Sequence, residues 1–91
     1  MNKQWQAGLT SLEAIVQELN RLHGVRLNDD ALAGVITLTG LFRDALTDFP
    51  VAVTKTDRDL VVNELRRIAN HLLFPILGKA ITDVAERIEK P

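Results

Sequence analysis

The stretch that decides the fold lies at residues 5–22 and has the sequence WQAGLTSLEAIVQELNRL. Its large apolar residues recur at steps of four, three, four and three residues, which places them on one stripe of an α-helix. These residues are Trp5, Leu9, Leu12, Val16 and Leu19, and the stripe is widened by Ile15 and Leu22. Such a broad stripe is typical of a helix that faces a core. The sequence therefore predicts a first helix over residues 2–22.

Local signals bear on both ends of this helix. Thr10 and Glu13 match a capping box, which would start the helix at Ser11 instead. Because the apolar stripe continues upstream of Thr10 without a change of phase, we expect the earlier start. Gly24 is suited to the left-handed conformation that ends many helices, since it carries no Cβ.

A second helix is predicted over residues 29–48. Asn28 is a favourable N-cap, and Asp29 and Asp30 fall in the electropositive first turn. Phe49-Pro50 ends the helix, because proline disfavours a helical residue before it. Two apolar rows follow the helical period, Leu32, Val35, Phe42 and Leu46 in one, and Leu38, Leu41 and Ala45 in the other. A row of small residues that would let another helix approach closely comprises Ala33, Thr37, Gly40 and Asp44.

The middle of this second segment, residues 33–40 with the sequence AGVITLTG, also allows a strand interpretation. Its two glycines each lower helix stability by about 1 kcal/mol relative to alanine. We favour a helix because the cap upstream and the helical period downstream agree. The apolar segment 51–54 that follows is expected to tuck against the helices as a loop or to form a short strand.

The C-terminal half predicts helices over residues 57–73 and 76–89. Thr56, or Thr54 with Asp57, is the expected N-cap. The apolar period is carried by Val61, Leu65, Ile68 and Leu72, and it resumes with Leu77, Ile81, Val84 and Ile88. Pro75 allows either a corner between two helices or one kinked helix of about 50 Å. A domain of this size has a radius of gyration of only about 12 Å, which favours the corner.

These elements predict one all-α domain over residues 1–91, either a compact four-helix bundle or a helical hairpin with a Pro-bent C-terminal half. The 91 residues leave no room for a second core. Hydrophobic residues make up 46% and charged residues 25%, which is the composition of a folded globule. The ion pairs expected on the last helix are Asp83 with Arg87 and Glu86 with Lys90.

Composition excludes several kinds of chemistry. The chain has no cysteine, so disulfides, thiolate catalysis and iron–sulfur clusters are ruled out. Ser11 is the only serine, and His23 and His71 lie outside any nucleophile or metal spacing. We therefore expect no enzymatic activity, no metal site and no cofactor. The net charge of −1 argues against nucleic-acid binding, which requires a basic face.

Location is predicted from the apolar runs. The start of the chain is polar and leads into no apolar signal segment. The longest apolar run, LLFPIL at residues 72–77, is far shorter than the roughly 20 residues that span a bilayer. A cytoplasmic protein without a membrane segment is expected.

Association is the function that the residues favour. The apolar residues exceed what one thin bundle needs, and such an excess is typical of a contact site. The expected interface comprises Trp5, Leu9, Leu12, Val16, Phe49, Val51 and Phe74. We therefore predict a small helical protein–protein interaction module, a homodimer that acts as an adaptor or inhibitor of a larger partner protein. Its size is that of small inhibitors encoded by phages and plasmids.

Two other functions are left open by the sequence. Arg67, Asn70 and His71 share a helix face and could bind a small anionic ligand such as a nucleotide, with Lys79 nearby. That site would lie between helices or between subunits. A DNA-binding regulator would have to use Arg58, Arg66 and Arg67, but acidic residues stand among them.

Overall fold

A computed structural model describes residues 3–25, 28–47 and 54–90 of the chain. Within these ranges the chain forms four α-helices and no strand. The helices are α1 (Lys3–His23), α2 (Asp29–Thr47), α3 (Lys55–His71) and α4 (Pro75–Glu89). The prediction of an all-α four-helix bundle is confirmed. Whether residues 51–54 pair as a strand falls outside the described residues, apart from Thr54.

The helix starts follow the local signals. The side chain of Asn28 accepts a hydrogen bond from the backbone N–H of Ala31 at 2.8 Å, as expected of an N-cap. Thr54, rather than Thr56, caps α3 by accepting from the N–H of Asp57 at 3.3 Å. At the N-terminus α1 begins at Lys3, so the apolar stripe and not the capping box sets its start.

The end of α1 differs from the expectation in one respect. The helix ends at His23, and the N–H of Val25 closes the last turn on the carbonyl of Leu22 at 3.2 Å. Gly24 does not have a positive φ, so the predicted left-handed conformation is wrong. The hydrogen bond from Val25 satisfies the Leu22 carbonyl without it.

The corner predicted at Pro75 is present. α3 ends at His71, and Pro75 is the first residue of α4, where its missing N–H forfeits no helical hydrogen bond. Just beyond the corner, Gly78 is buried against α3. A Cβ atom at Gly78 would lie 3.3 Å from the carbonyl oxygen of Ala69, so glycine allows the two helices to approach closely.

The four helices form two antiparallel hairpins that pack together through α1 and α3. Arg66 of α3 pairs with Glu89 of α4, which ties the second hairpin together away from its corner. Asn20 of α1 hydrogen-bonds His71 at the end of α3, so α1 and α3 run in the same direction. The bundle measures 45 × 20 × 17 Å. In this arrangement α2 and α4 run parallel on either side of an open seam.

The core is built from α1, α3 and α4, and their predicted stripes are confirmed. The buried residues of these helices include Trp5, Leu9, Leu12, Val16, Leu19, Val61, Leu65, Ile68, Ile81, Val84 and Ile88. From α2 only Phe42 is buried. Leu32 and Leu41, which belong to the two predicted apolar rows of α2, are 47% and 50% exposed. α2 packs mainly on α1 and therefore has one covered side rather than two.

Candidate interaction surface

In the predicted anion site, the positive charge of Arg67 is already neutralised by neighbouring carboxylates. The guanidinium of Arg67 donates to Glu64 at 2.8 and 3.1 Å and to Glu13 of α1 at 3.2 Å. These hydrogen bonds, that to Glu64 first, raise the pKa of Arg67 above its ordinary value. With two carboxylates bound, Arg67 has little charge to offer an incoming anion.

The other members of that predicted site are only partly brought together. Arg67 and His71 line one depression of about 200 Å³ between α1 and α3. Glu13 also lines it, which makes the depression unfavourable for an anion. Asn70 and Lys79 lie elsewhere on the surface. We therefore do not retain this group as the anion site.

Most of the predicted interface is not available on the surface either. Trp5, Leu9, Leu12 and Val16 are buried in the chain's own core, so in this structure they offer no free surface to a partner. They fill the space between the two hairpins. A single chain needs this core in order to fold, whether or not it associates. Phe49 and Val51 lie outside the described residues. Phe74 is half-buried beside the core and meets the ring of His23 edge-on, with ring centres 5.0 Å apart.

Three of the seven large apolar side chains that are exposed in the described chain lie on α2. Residues 31–42, with the sequence ALAGVITLTGLF, contain no charged side chain. The side of the helix turned away from α1 carries Leu32, Ala33, Ile36, Thr39 and Gly40, which we call the outer α2 face. Ile36 is 65% exposed at its centre. A helix that is apolar on all sides is usually covered on all sides, and here one side is open.

The threonines of α2 add to the apolar character of this surface. The hydroxyl of Thr39 donates to the carbonyl of Val35 at 2.8 Å, and that of Thr37 donates to Ala33 at 3.0 Å. Each hydroxyl proton is thus used inside the helix. The side chains present their methyl groups to the surroundings, so the run from 31 to 42 offers few polar groups.

The outer α2 face has a hollow beside its most prominent side chain. Val35, Ile36, Thr39, Gly40 and Arg43 line a depression of about 300 Å³. It exists because Gly40 has no side chain, and a Cβ placed there would meet nothing within 4 Å. The predicted small-residue row of Ala33, Thr37, Gly40 and Asp44 lies open, and no helix of the described chain packs on it.

A groove between α2 and α4 adjoins this hollow. It encloses about 520 Å³ and shares Thr39 and Arg43 with the hollow. Its apolar lining is formed by Phe42, Leu46, Leu77, Ala80 and Val84. Arg43, Asp83 and Arg87 also line it, and none of the three forms an ion pair with another residue of the described ranges.

The charges on α4 are arranged differently from the prediction. Neither the expected pair of Asp83 with Arg87 nor that of Glu86 with Lys90 is formed within the described residues. The isolated helical spacing favours such pairs by only a few tenths of a kcal/mol, so other contacts easily override it. Here Asp83 and Arg87 both line the groove instead.

Sequence reasoning missed the outer α2 face, although a signal was present. The charge-free run at 31–42 shows that every side of α2 is apolar or neutral. A chain with only three other helices cannot cover all of those sides. A comparison of the number of uncharged helix sides with the number of helices able to cover them would have identified the exposed side of α2.

Other chemistry is not assembled in the described part of the chain. No group of three or more His, Asp or Glu side chains there is placed to hold a metal ion. None of the described helices combines the length and apolarity needed to cross a membrane. Of the arginines considered for DNA, Arg66 is paired with Glu89 and Arg67 with Glu13 and Glu64. A comparison of this chain with known protein families, curated proteins and solved structures finds no match.

Proposed function

We propose that this chain is a non-enzymatic helical interaction module of the cytoplasm, an adaptor or inhibitor that docks through the outer α2 face. The observation that carries the proposal is the open apolar side of α2, with Ile36 65% exposed in a run of residues without charge. The sequence prediction of association is kept, and its contact surface moves from the α1 stripe to α2.

The energy available on this surface supports the proposal. Single exposed apolar side chains are common on folded proteins and need no partner. Leu32 and Ile36 are one turn apart on the same face, and Ala33 and Gly40 leave room for close approach. Full burial of an isoleucine or leucine side chain contributes about 1.5–3 kcal/mol. A partner covering this face would therefore gain enough to offset part of the cost of association.

Site-specific photo-crosslinking tests the proposal. A photoreactive amino acid replaces Ile36 in one variant and Ile76 in a control, and both are irradiated in cells that express the chain. Ile76 is the better-exposed isoleucine at 85%, but it belongs to α4 and lines neither the hollow on α2 nor the groove between α2 and α4. We expect crosslinked products, with another protein or with the chain itself, from position 36 and not from position 76. Equal yields from the two positions would refute docking through α2.

The groove between α2 and α4 supports a second candidate function, the binding of a small anionic ligand such as a nucleotide. Its volume of about 520 Å³ is in the usual range for ligand pockets. Arg43, Arg87 and Asp83 line it without an ion pair in the described chain, so its two cations exceed its one carboxylate. This candidate replaces the site around Arg67 that the sequence suggested.

A thermal-shift series tests the ligand candidate. A nucleotide that binds the folded chain in the groove raises the melting temperature, and the rise grows with the logarithm of the nucleotide concentration above Kd. We expect Arg87→Gln to remove that rise, and Lys79→Gln, a change of the same charge outside the groove lining, to leave it in place. If no nucleotide shifts the wild-type melting temperature at millimolar concentration, the ligand candidate fails.

A further inference from the structure

We infer that the occupant of the outer α2 face is the same face of a second copy of this chain, with the two α2 helices antiparallel. The inference rests on the proposed function, because it names the partner that the open surface of α2 receives. Two features of the surface point to a second copy: its shape fits itself, and reversing one copy keeps the two acidic first turns apart.

The shape is self-complementary around a two-fold axis. Helices that pack closely place a side chain of one into a hole formed by residues i, i+3, i+4 and i+7 of the other. Ile36, Thr39, Gly40 and Arg43 have that spacing, and together with Val35 they line the hollow of about 300 Å³. Ile36 is also the projecting side chain at the edge of the hollow.

A two-fold axis that passes near residue 38 places Ile36 of each copy into the hollow of the other. Both copies then use the same patch, which is the geometry of an isologous dimer. Gly40 forms the floor of the hollow, where a Cβ atom would meet nothing in the chain within 4 Å. The projection and the hollow of one copy therefore match those of the second without any change in α2.

The charges at the two ends of α2 select the antiparallel orientation. Asp29 and Asp30 occupy the first turn, and Arg43 lies near the other end on the side of Ile36. In a parallel pair the two acidic first turns would meet. In an antiparallel pair the two acidic first turns lie at opposite ends of the contact, and each lies beside the half of the partner that carries Arg43 next to Asp44. An antiparallel arrangement also places the positive end of one helix dipole beside the negative end of the other, which favours the same orientation.

The net charge of the chain allows two copies to approach. At −1 the long-range repulsion between copies is small. The apolar stripes of α1, α3 and α4 are buried in the core. Among the described helices, α2 therefore has the apolar side that a second copy could cover. These properties suit a second copy of the chain without requiring a partner of opposite charge.

Disulfide trapping tests the inference cleanly, because the chain contains no cysteine. Asp29→Cys and Thr47→Cys are made as separate variants and mixed in a thiol redox buffer. With a two-fold axis near residue 38, position 29 of one copy lies beside position 47 of the other. The two copies of position 29 are then about 27 Å apart, since 18 residues separate 29 from 47 at about 1.5 Å each.

The expected product of the mixture is the mixed disulfide between the two variants, with little of either self-linked dimer. Its yield should exceed that of self-linked Ile76→Cys, an exposed control on α4, by roughly tenfold or more, because pairing raises the local thiol concentration. Adding Ile36→Glu to both variants should reduce the mixed disulfide to the control level. Circular dichroism of each variant confirms that the helices are retained.

Three outcomes overturn the inference. Self-linked Asp29→Cys in place of the mixed disulfide would mean that the helices pair in parallel. Mixed disulfide that persists with Ile36→Glu would mean that the copies meet through another surface. Yields equal to the Ile76→Cys control, with a monomer in sedimentation at millimolar concentration, would mean that no second copy binds. In that last case crosslinking of another protein from position 36 would still leave the proposed function standing.

Discussion

Asn20 is the residue that joins the two hairpins at the corner before α4. Its side-chain amide donates from Nδ2 to the carbonyl of His71 at 2.9 Å, and its Oδ1 accepts from the N–H of Leu73 at 2.8 Å. His71 ends α3, where the last carbonyls lack helical partners, and Leu73 lies in the corner beyond it. One amide thus satisfies two backbone groups that the corner leaves open.

Replacement of Asn20 with alanine should destabilise the fold. Asn20→Ala removes both hydrogen bonds, and we expect a loss of about 1–2 kcal/mol in the free energy of unfolding. For a domain of this size 1 kcal/mol lowers the melting temperature by about 4–8 °C. Thermal unfolding followed by circular dichroism measures the melting temperature of each variant. Asn70→Ala is the control, since Asn70 is exposed near the same corner, and equal melting of the two variants would contradict the role of Asn20.

At the scale of the elements, the glycines within helices have different reasons to be there. A Cβ at Gly34 of α2 would make an ordinary contact of 3.8 Å with Leu22. A Cβ at Gly78 of α4 would press on the backbone carbonyl of Ala69 at 3.3 Å. Only the second glycine is required by the packing of its helix, because a backbone atom cannot move as easily as a side chain.

The two glycines should therefore respond differently to alanine. Gly34→Ala should raise the free energy of unfolding by about 1 kcal/mol, the intrinsic gain of alanine over glycine in a helix. Gly78→Ala should gain clearly less, or lose stability, because α3 and α4 must separate slightly. Urea unfolding of both variants measures the difference. A larger gain from Gly78→Ala than from Gly34→Ala would contradict the close approach of α3 and α4.

The element with the least predictable environment was α2. Its helical structure and its Asn28 cap followed from the sequence, as did the ends of α1, α3 and α4 to within about two residues. The burial of its side chains did not follow. Leu32 and Phe42 belong to the same predicted row, yet one is exposed and the other is buried. A row shows which side chains lie together, but not how far along the helix the neighbouring helices extend.

At the scale of the whole molecule, the fold depends on a thin core that α1 dominates. Trp5 is the largest side chain that is fully buried, and it lies at the start of α1. Small domains bury a limited fraction of their surface and have only about 5–15 kcal/mol of stability. Much of that stability is expected to depend on a single aromatic residue.

Truncation of Trp5 should therefore bring the protein close to unfolding. We expect Trp5→Ala to lower the free energy of unfolding by about 3–5 kcal/mol, because it leaves a large cavity. The control Ile76→Ala removes an exposed side chain and should change stability by less than about 0.5 kcal/mol. Chemical unfolding followed by circular dichroism reports both values. Similar stabilities for the two variants would show that Trp5 is not part of the core.

The sequence by itself determined the four helices, the N-caps of α2 and α3, the corner at Pro75 and the core stripes of α1, α3 and α4. These features depend on residues within a few positions of one another, where capping bonds and helical period act. The tertiary structure alone decided that Glu13 binds Arg67 across 54 positions and that Asn20 binds the corner across 51. It also decided which side of α2 stays open. Those outcomes depend on which helices become neighbours, and that is set by the packing of the whole chain.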